Sequence, residues 1–408
     1  MVTMPFTGSG ATGSSPAIFL GMGSVSGKYE SGGMEGYVLP AIGISVVSVA
    51  AFLIMPILVG TVAGHFALNE SEAGYFASAV MGGSALASLC SIFWVRRVHW
   101  RLALRLSMGL MLAGLALSLI SDSIITFTAA QCLVSLGGGS AYSLALTILS
   151  DSPRAERYFG YSVACQVGFQ VIGLLLLPTL IAGYGISGLL LTLLALTLLA
   201  LVAVSSVPAA GKPVEDVHST HAILRPASLL ALFGCFFFFF NVGCYWAYIE
   251  LMGRDAGLQA ETVGNLLALG VSMGILGALA ASWSEERFGL LKPLAIGALG
   301  TCLAVLVLGD AFTALEFGVS VAIYNLVWNL SLAFQYTAVT RVDHTGSSVA
   351  AAPAFHAVGG AVGPAVAGLL FPLMGFLAVN MLVATSVLLS FACFFGALSL
   401  YRREPVNG

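Results

Sequence analysis

The stretch PAAGKPVEDVHSTHAILRP, residues 208–226, decides how this chain is read, because it is the longest polar connection after residue 38 and it interrupts an otherwise apolar sequence. On either side of it, long uncharged apolar runs recur from Leu39 to Leu400. About 20 such residues, rising 1.5 Å each, cross the hydrocarbon of a bilayer. On that measure the N-terminal side predicts spans at 39–63, 73–95, 102–120, 124–149, 160–182 and 186–207, and the C-terminal side at 227–249, 263–283, 293–309, 313–340, 349–371 and 375–400. The expected fold is an all-α membrane protein of about 12 transmembrane helices in two six-helix halves, 39–207 and 227–400, joined by a cytoplasmic linker at 208–226.

Composition requires a fold of this kind. The 408 residues are 59% hydrophobic and 8% charged, against roughly 45–50% and about 25% in soluble domains. The formal net charge of −3 comes without a basic stripe or an acidic tail, so nothing points to nucleic acid. All seven cysteines fall in apolar segments without Cys-x-x-Cys spacing. They read as small buried hydrophobes, and no metal or cofactor is expected. Residues 1–38 are rich in Gly and Ser and lack the basic start and apolar core of a signal peptide. They are expected to form a disordered cytoplasmic tail, with a second short tail at 401–408.

Orientation follows from the basic residues, which concentrate in cytoplasmic loops. A cytoplasmic N-terminus puts Lys28, Arg96, Arg97, Arg101, Arg105, Arg154, Arg157, Lys212, Arg225, Arg287, Lys292, Arg341, Arg402 and Arg403 inside and only Arg254 outside. One span more or fewer would scramble this alternation downstream. Both termini are therefore expected in the cytoplasm and the chain in the cell inner membrane, surrounded by lipid.

Polar side chains within spans are costly to expose to lipid and turn toward the bundle interior. Helical spacing gathers them into stripes: Gln131, Ser135, Gly138 and Tyr142 on span four, Gln166, Gln170 and Gly173 on span five, Asn241, Tyr245 and Tyr248 on span seven, and Asn325, Asn329 and Tyr336 on span ten. Among Asn, Gln, His and charged residues, spans three, six, nine and twelve hold only Arg105 and Asn380. Hydrogen bonding that merely ties helices together is worth about 0.6 kcal/mol per contact. It accounts for single residues, but not for their confinement to particular spans. A shared wet cavity does, and its candidate substrate-binding residues are Gln131, Gln166, Gln170, Asn241, Tyr245, Asn325, Trp328 and Asn329. Gly270 and Gly274, and Gly359 and Gly363, have the Gly-x-x-x-Gly spacing of close helix packing.

The span count, the six-plus-six division, the polar linker and a basic loop after the second span of each half resemble the major facilitator superfamily over nearly the whole chain. The first loop reads Ser91-Ile-Phe-Trp-Val-Arg96-Arg97-Val-His99-Trp100-Arg101, and its counterpart Ser284-Glu285-Glu286-Arg287-Phe288-Gly289-Leu290-Leu291-Lys292 keeps the acid, Arg, Gly and Lys of the family pattern. The resemblance implies a secondary carrier working by alternating access. It also implies that spans one, four, seven and ten line the cavity, and that Arg96, Arg97 and Arg287 belong to gates pairing charges across the cytoplasmic face. Two departures matter. Gln131 stands where span four of the family carries an arginine tied to proton coupling. The glycine pattern that drug–proton antiporters show in span five is absent there, and its nearest match, Gly359-Gly360-Ala-Val-Gly363-Pro364, lies in span eleven.

His356 is the ionisable residue deepest in a span, and imidazole titrates near neutral pH, so it is a candidate coupling group. Glu250 and Glu316, toward the outer ends of spans seven and ten, are candidates to relay protons. Amides, aromatic rings such as Trp246 and Tyr324, and few fixed charges suit a small organic solute, either an aromatic compound or a monocarboxylate paired with protonated His356. The expected function is proton-coupled uptake by a monomer. Efflux by proton antiport is the alternative within transport, and a non-transporting sensor the alternative outside it. An enzyme is not expected, since no His-Glu-x-x-His zinc pair is present, and the absence of a Gly-Lys-Ser/Thr phosphate loop removes ATP-driven transport.

Overall fold

The computed structural model describes residues 36–402 apart from 153, 211–223, 310 and 344–346. The expected N-terminal tail up to residue 35, most of the linker and the last six residues lie outside the described part. Every regular element described is a helix. Nine of the described helices are long and apolar enough to cross a bilayer, and one of these runs for 50 residues, Arg157–Ser206. That length rises about 75 Å, twice what a crossing needs, and the helix folds back at Gly185, whose φ of 60° only glycine adopts without strain. It is therefore spans five and six together. Span one is broken into Val38–Ser48, Ala50–Leu53 and Met55–Phe66, and span nine is the short helix Leu291–Val307. With spans two (Glu70–Trp94), three (Trp100–Leu119), four (Ile124–Ser150), seven (Pro226–Asp255), eight (Ala260–Phe288), ten (Ala314–Val342), eleven (Ser347–Met374) and twelve (Phe376–Tyr401), the chain makes the expected twelve crossings.

Local chemistry sets several of these boundaries. Asn69 and Glu72 form a capping box that starts span two, and Thr313 and Glu316 do the same for span ten. Span seven opens with Pro226 in its first turn, where a missing N–H costs nothing. The break in span one centres on Ile54, with Pro56 immediately after it. Proline donates no hydrogen bond to the carbonyl four residues earlier, here Phe52. Two carbonyls at the break accept side-chain donors from other spans instead. Trp246 Nε1 of span seven donates to Phe52 at 3.2 Å, and Gln170 Nε2 of span five to Leu53 at 3.0 Å.

Spans three, six, nine and twelve turn large apolar side chains outward, among them Leu102, Leu106, Leu198, Leu199, Leu299, Leu306, Leu377 and Met381. In a bilayer these faces meet acyl chains. Gly359 and Gly363 let span eleven press on the span-seven backbone, and Gly270 and Gly274 seat span eight on span ten.

Candidate functional site

A cavity of about 540 Å³ lies between the halves, next to the break in span one. From the N-terminal half it is lined by Phe52 and Leu53, by Ser84, Ser88 and Ser91 of span two, by Tyr142 of span four and by Gln166 and Gln170 of span five. From the other half come Phe239 of span seven, Asn325, Trp328, Asn329 and Tyr336 of span ten and His356 of span eleven. Among the described residues, the lining contains no Asp, Glu, Lys or Arg. A solute inside meets amides, hydroxyls and aromatic faces, whereas an unpaired ion there forfeits several kcal/mol of hydration.

Most amide donors in the lining are already engaged. Gln166 Nε2 donates to Ser162 Oγ at 3.1 Å, Asn325 Nδ2 to the Val321 carbonyl at 2.9 Å and Asn329 Nδ2 to the Asn325 carbonyl at 3.0 Å. Two lining residues keep a buried nitrogen with no partner in the protein, Trp328 at Nε1 and His356 at Nε2. The His356 ring lies against Phe239, centroids 4.2 Å apart, with Tyr336 Oη 3.4 Å from its Nδ1. An unpartnered buried indole N–H and an imidazole nitrogen are open to a hydrogen bond with a molecule in the cavity.

On spans two, four, five, ten and eleven the lining lies in the central part and toward the end that carries the basic loops. At the opposite end the halves touch. Ser78 Oγ of span two donates to the Ala361 carbonyl at 2.6 Å, Tyr248 Oη to the Glu70 carbonyl at 2.9 Å and an Arg254 amino group to the Gly60 carbonyl at 3.1 Å. Gly264 of span eight packs on the Leu174 carbonyl and the Pro178 ring of span five. A cavity walled by both halves and sealed between them on one side is the geometry of a carrier.

Comparison with known proteins agrees. The sequence profile of the Major Facilitator Superfamily matches residues 41–352, more than half of the chain. The chain belongs to that superfamily. Among solved structures, the nucleoside transporter NupG superposes with a TM-score of 0.71 at 10% identity, over 89% of this chain and 99% of that one. A D-xylose-proton symporter gives 0.69 at 14% identity, over 88% and 97%. A bacterial homolog of the human lysosomal transporter Spinster, in an inward-facing and occupied conformation, gives 0.67 at 13% identity, over 91% and 98%. At such identities the likeness establishes the fold. No curated protein matches this chain. Membership of the superfamily points to transport and not to catalysis. One run, Gly270-Val-Ser272-Met-Gly274, spells the Gly-x-Ser-x-Gly of hydrolases. It lies within a continuous helix, with Ser272 Oγ donating to the Ala268 carbonyl at 2.9 Å, and not on the strand-to-helix turn that exposes a nucleophile.

Within this superfamily fold, the residues singled out from sequence go to different places. Gln166, Gln170, Asn325, Trp328, Asn329 and His356 come together on one cavity. Gln131, Asn241 and Tyr245 are absent from its lining. Gln131 donates to Ser118 Oγ on span three at 3.0 Å. Asn241 accepts from Tyr324 Oη at 2.7 Å, and Tyr245, stacked on Tyr324 at 3.7 Å, shares a hydrogen bond with Ser320. These three tie neighbouring helices together. Glu250 is buried in the sealed end against Gly60, with one carboxylate oxygen 3.7 Å from Arg254 and the other unpartnered. Glu316 is exposed and its carboxylate accepts from Thr313 N–H and Oγ, which caps span ten.

Of the gating candidates, Arg96 pairs with Asp151 at 2.7 Å and also reaches Ser150, contacts within the N-terminal half that staple spans two and four in this state. Arg97 is exposed, and the side chain of Arg287 lies outside the described part. Nearby, burial raises the Tyr37 phenol above its ordinary range, with Asp151 and Tyr158 adding to the effect. Sequence reasoning missed Phe52, Phe239 and the serines of span two. The serines carried a signal, since 84, 88 and 91 follow the i, i+4, i+7 spacing of one helix face.

Proposed function

We propose that the chain is a secondary active transporter that moves a small organic solute, uncharged while in the cavity and with an aromatic or apolar body, by alternating access. The observation that supports this most is the cavity itself, lined from both halves, free of formal charge and sealed at one end by contacts between them. With the basic loops in the cytoplasm, the inner membrane as its location and the polar segment 208–226 as a cytoplasmic linker, the state seen here is open inward. A monocarboxylate fits less well, because among the described residues His356 is the one imidazole it meets and no lysine or arginine lines the site.

Proton-coupled uptake is the preferred mode. Glu250 is sealed between the halves here and is uncovered when that end parts, so it can exchange a proton once per cycle. The likeness to a D-xylose-proton symporter supports the same choice. Proteoliposomes containing the full chain, screened first for thermal stabilisation by neutral aromatics, nucleosides, sugars and organic acids, test it. An imposed inward proton gradient is expected to drive accumulation of the stabilising solute. Accumulation driven by the opposite gradient would establish antiport, and stabilisation by charged acids alone would overturn the assignment of cargo.

A further inference from the structure

A second cavity, of about 310 Å³, lies at the basic end of the C-terminal half, enclosed by the turn between spans eight and nine and the ends of spans ten and twelve. Lys292, Arg341 and Arg402 line it with Tyr401, Phe288 and Leu290. The three cations are exposed. Among the described residues, no carboxylate pairs with any of them. Asp343, the described carboxylate nearest in sequence, is buried and accepts the Ser348 N–H at 2.7 Å.

Helix ends do not neutralise the charge. Span nine begins here without a side-chain cap, which leaves its first N–H groups in need of acceptors. The carbonyl ends of spans eight, ten and twelve meet at the same place. One N-terminus and three C-termini together contribute roughly one negative charge, against three full positive ones.

The equivalent place in the other half is occupied by the chain itself. There Arg96 is paired with Asp151, Arg101 Nε donates to the Val207 carbonyl at 2.5 Å, and Trp100 is buried, its ring N–H on the Val95 carbonyl and its backbone N–H on that of Ala209. Among the described residues, no such filling closes the C-terminal recess. Directly below it, Ile296, Leu299, Leu303 and Leu306 form an exposed apolar stripe along span nine, and span twelve exposes Leu388 and Phe395. An anion that also carries acyl chains satisfies both surfaces at once.

We infer that this recess binds the phosphate headgroup of an anionic phospholipid, with its chains along spans nine and twelve. Guanidinium groups match phosphate oxygens in forked geometry, the lysine adds a point charge, and basic pockets between helices at a membrane boundary recognise such headgroups. Free inorganic phosphate shares the chemistry but would leave the apolar stripe unused.

The test uses the full chain purified in a neutral detergent, loaded with phosphatidylglycerol or phosphatidylcholine, and mass spectrometry of the lipid retained after gel filtration. The wild-type protein is expected to retain phosphatidylglycerol at least about tenfold over phosphatidylcholine at low salt, and to lose most of that preference in high salt. Combining Lys292→Gln, Arg341→Gln and Arg402→Gln is expected to abolish the preference, whereas Arg96→Gln with Arg157→Gln, which removes charge from the other half, leaves it intact. Should the triple variant misfold, the charge-conserving set Lys292→Arg, Arg341→Lys and Arg402→Lys is expected to retain the lipid, and the salt dependence of the wild type is read without any variant. Equal retention of the two lipids by the wild type, or undiminished retention by the folded triple glutamine variant, overturns the proposal. So does thermal stabilisation by inorganic phosphate that phosphatidylglycerol does not reproduce.

Discussion

The two ends of this bundle are built from the same twelve helices and behave oppositely. At the end away from the basic loops the halves meet through glycines. A β-carbon on Gly60 would collide with the Glu250 carboxyl, one on Gly74 would come 2.7 Å from the Pro364 carbonyl, and one on Gly368 would come 2.7 Å from that of Ser71. At the other end Gly160 and Gly168 have nothing within 4 Å of such a carbon. Closure in this fold is therefore achieved by removing side chains, so that backbone approaches backbone.

The largest expected effect breaks that seal. Gly264→Val sets a branched side chain against the Leu174 carbonyl, which a β-carbon would approach to 2.6 Å. Overpacking of this kind costs about 1–3 kcal/mol, so tracer uptake in proteoliposomes should fall by about tenfold or more while the protein stays monodisperse. Gly168→Ala, at the open end, should stay within about twofold of wild type. Equal losses in both would mean that the two ends do not differ in the way described.

Glu250→Gln sharpens the comparison by removing a titratable group from the closed end only. Uptake by the unaltered chain should rise as the outside is acidified, since protons enter with the solute. The variant should lose this pH dependence and most gradient-driven accumulation, while solute exchange without a gradient stays within about twofold. Accumulation unaltered by Glu250→Gln but lost with His356→Gln would move coupling from the seal to the cavity.

Smaller effects separate cavity from scaffold. Trp328→Phe deletes the unpartnered indole N–H, and one hydrogen bond of about 0.5–1.5 kcal/mol corresponds to roughly a two- to tenfold loss of affinity. Asn241→Ala should leave affinity unchanged and lower the stability of the protein by only about 0.6 kcal/mol. Titrations of solute against thermal unfolding read both quantities in one experiment.

The twelve crossings were legible because each needs about 20 apolar residues and loops interrupt them, and the turn at Gly185 falls within the expected gap between spans five and six. The break in span one was not, although Pro56 was in plain view, because proline alone does not say which neighbours will take up the freed carbonyls. Helical spacing grouped Asn325, Asn329 and Tyr336, which share the cavity, but it put Gln131 with Ser135 and Tyr142, which the structure separates. It could not say whether a face looks onto a cavity, as for Gln170 and Asn329, or onto another helix, as for Gln131 and Asn241. The cap formed by Glu316 was also legible, since Thr313 precedes it at the capping-box interval. Looking for amides, histidines and charges alone left the hydroxyl-bearing face of span two unnoticed.

The interrupted first span has one more effect. Its two side-chain-bonded carbonyls answer to different masters: Leu53 is held by Gln170 of its own half, Phe52 by Trp246 of the other. Under the proposed alternating access, parting the halves would take Trp246 from the Phe52 carbonyl and leave Gln170 on that of Leu53. Hydration of a single peptide group would then be part of the work of switching, beside the cavity.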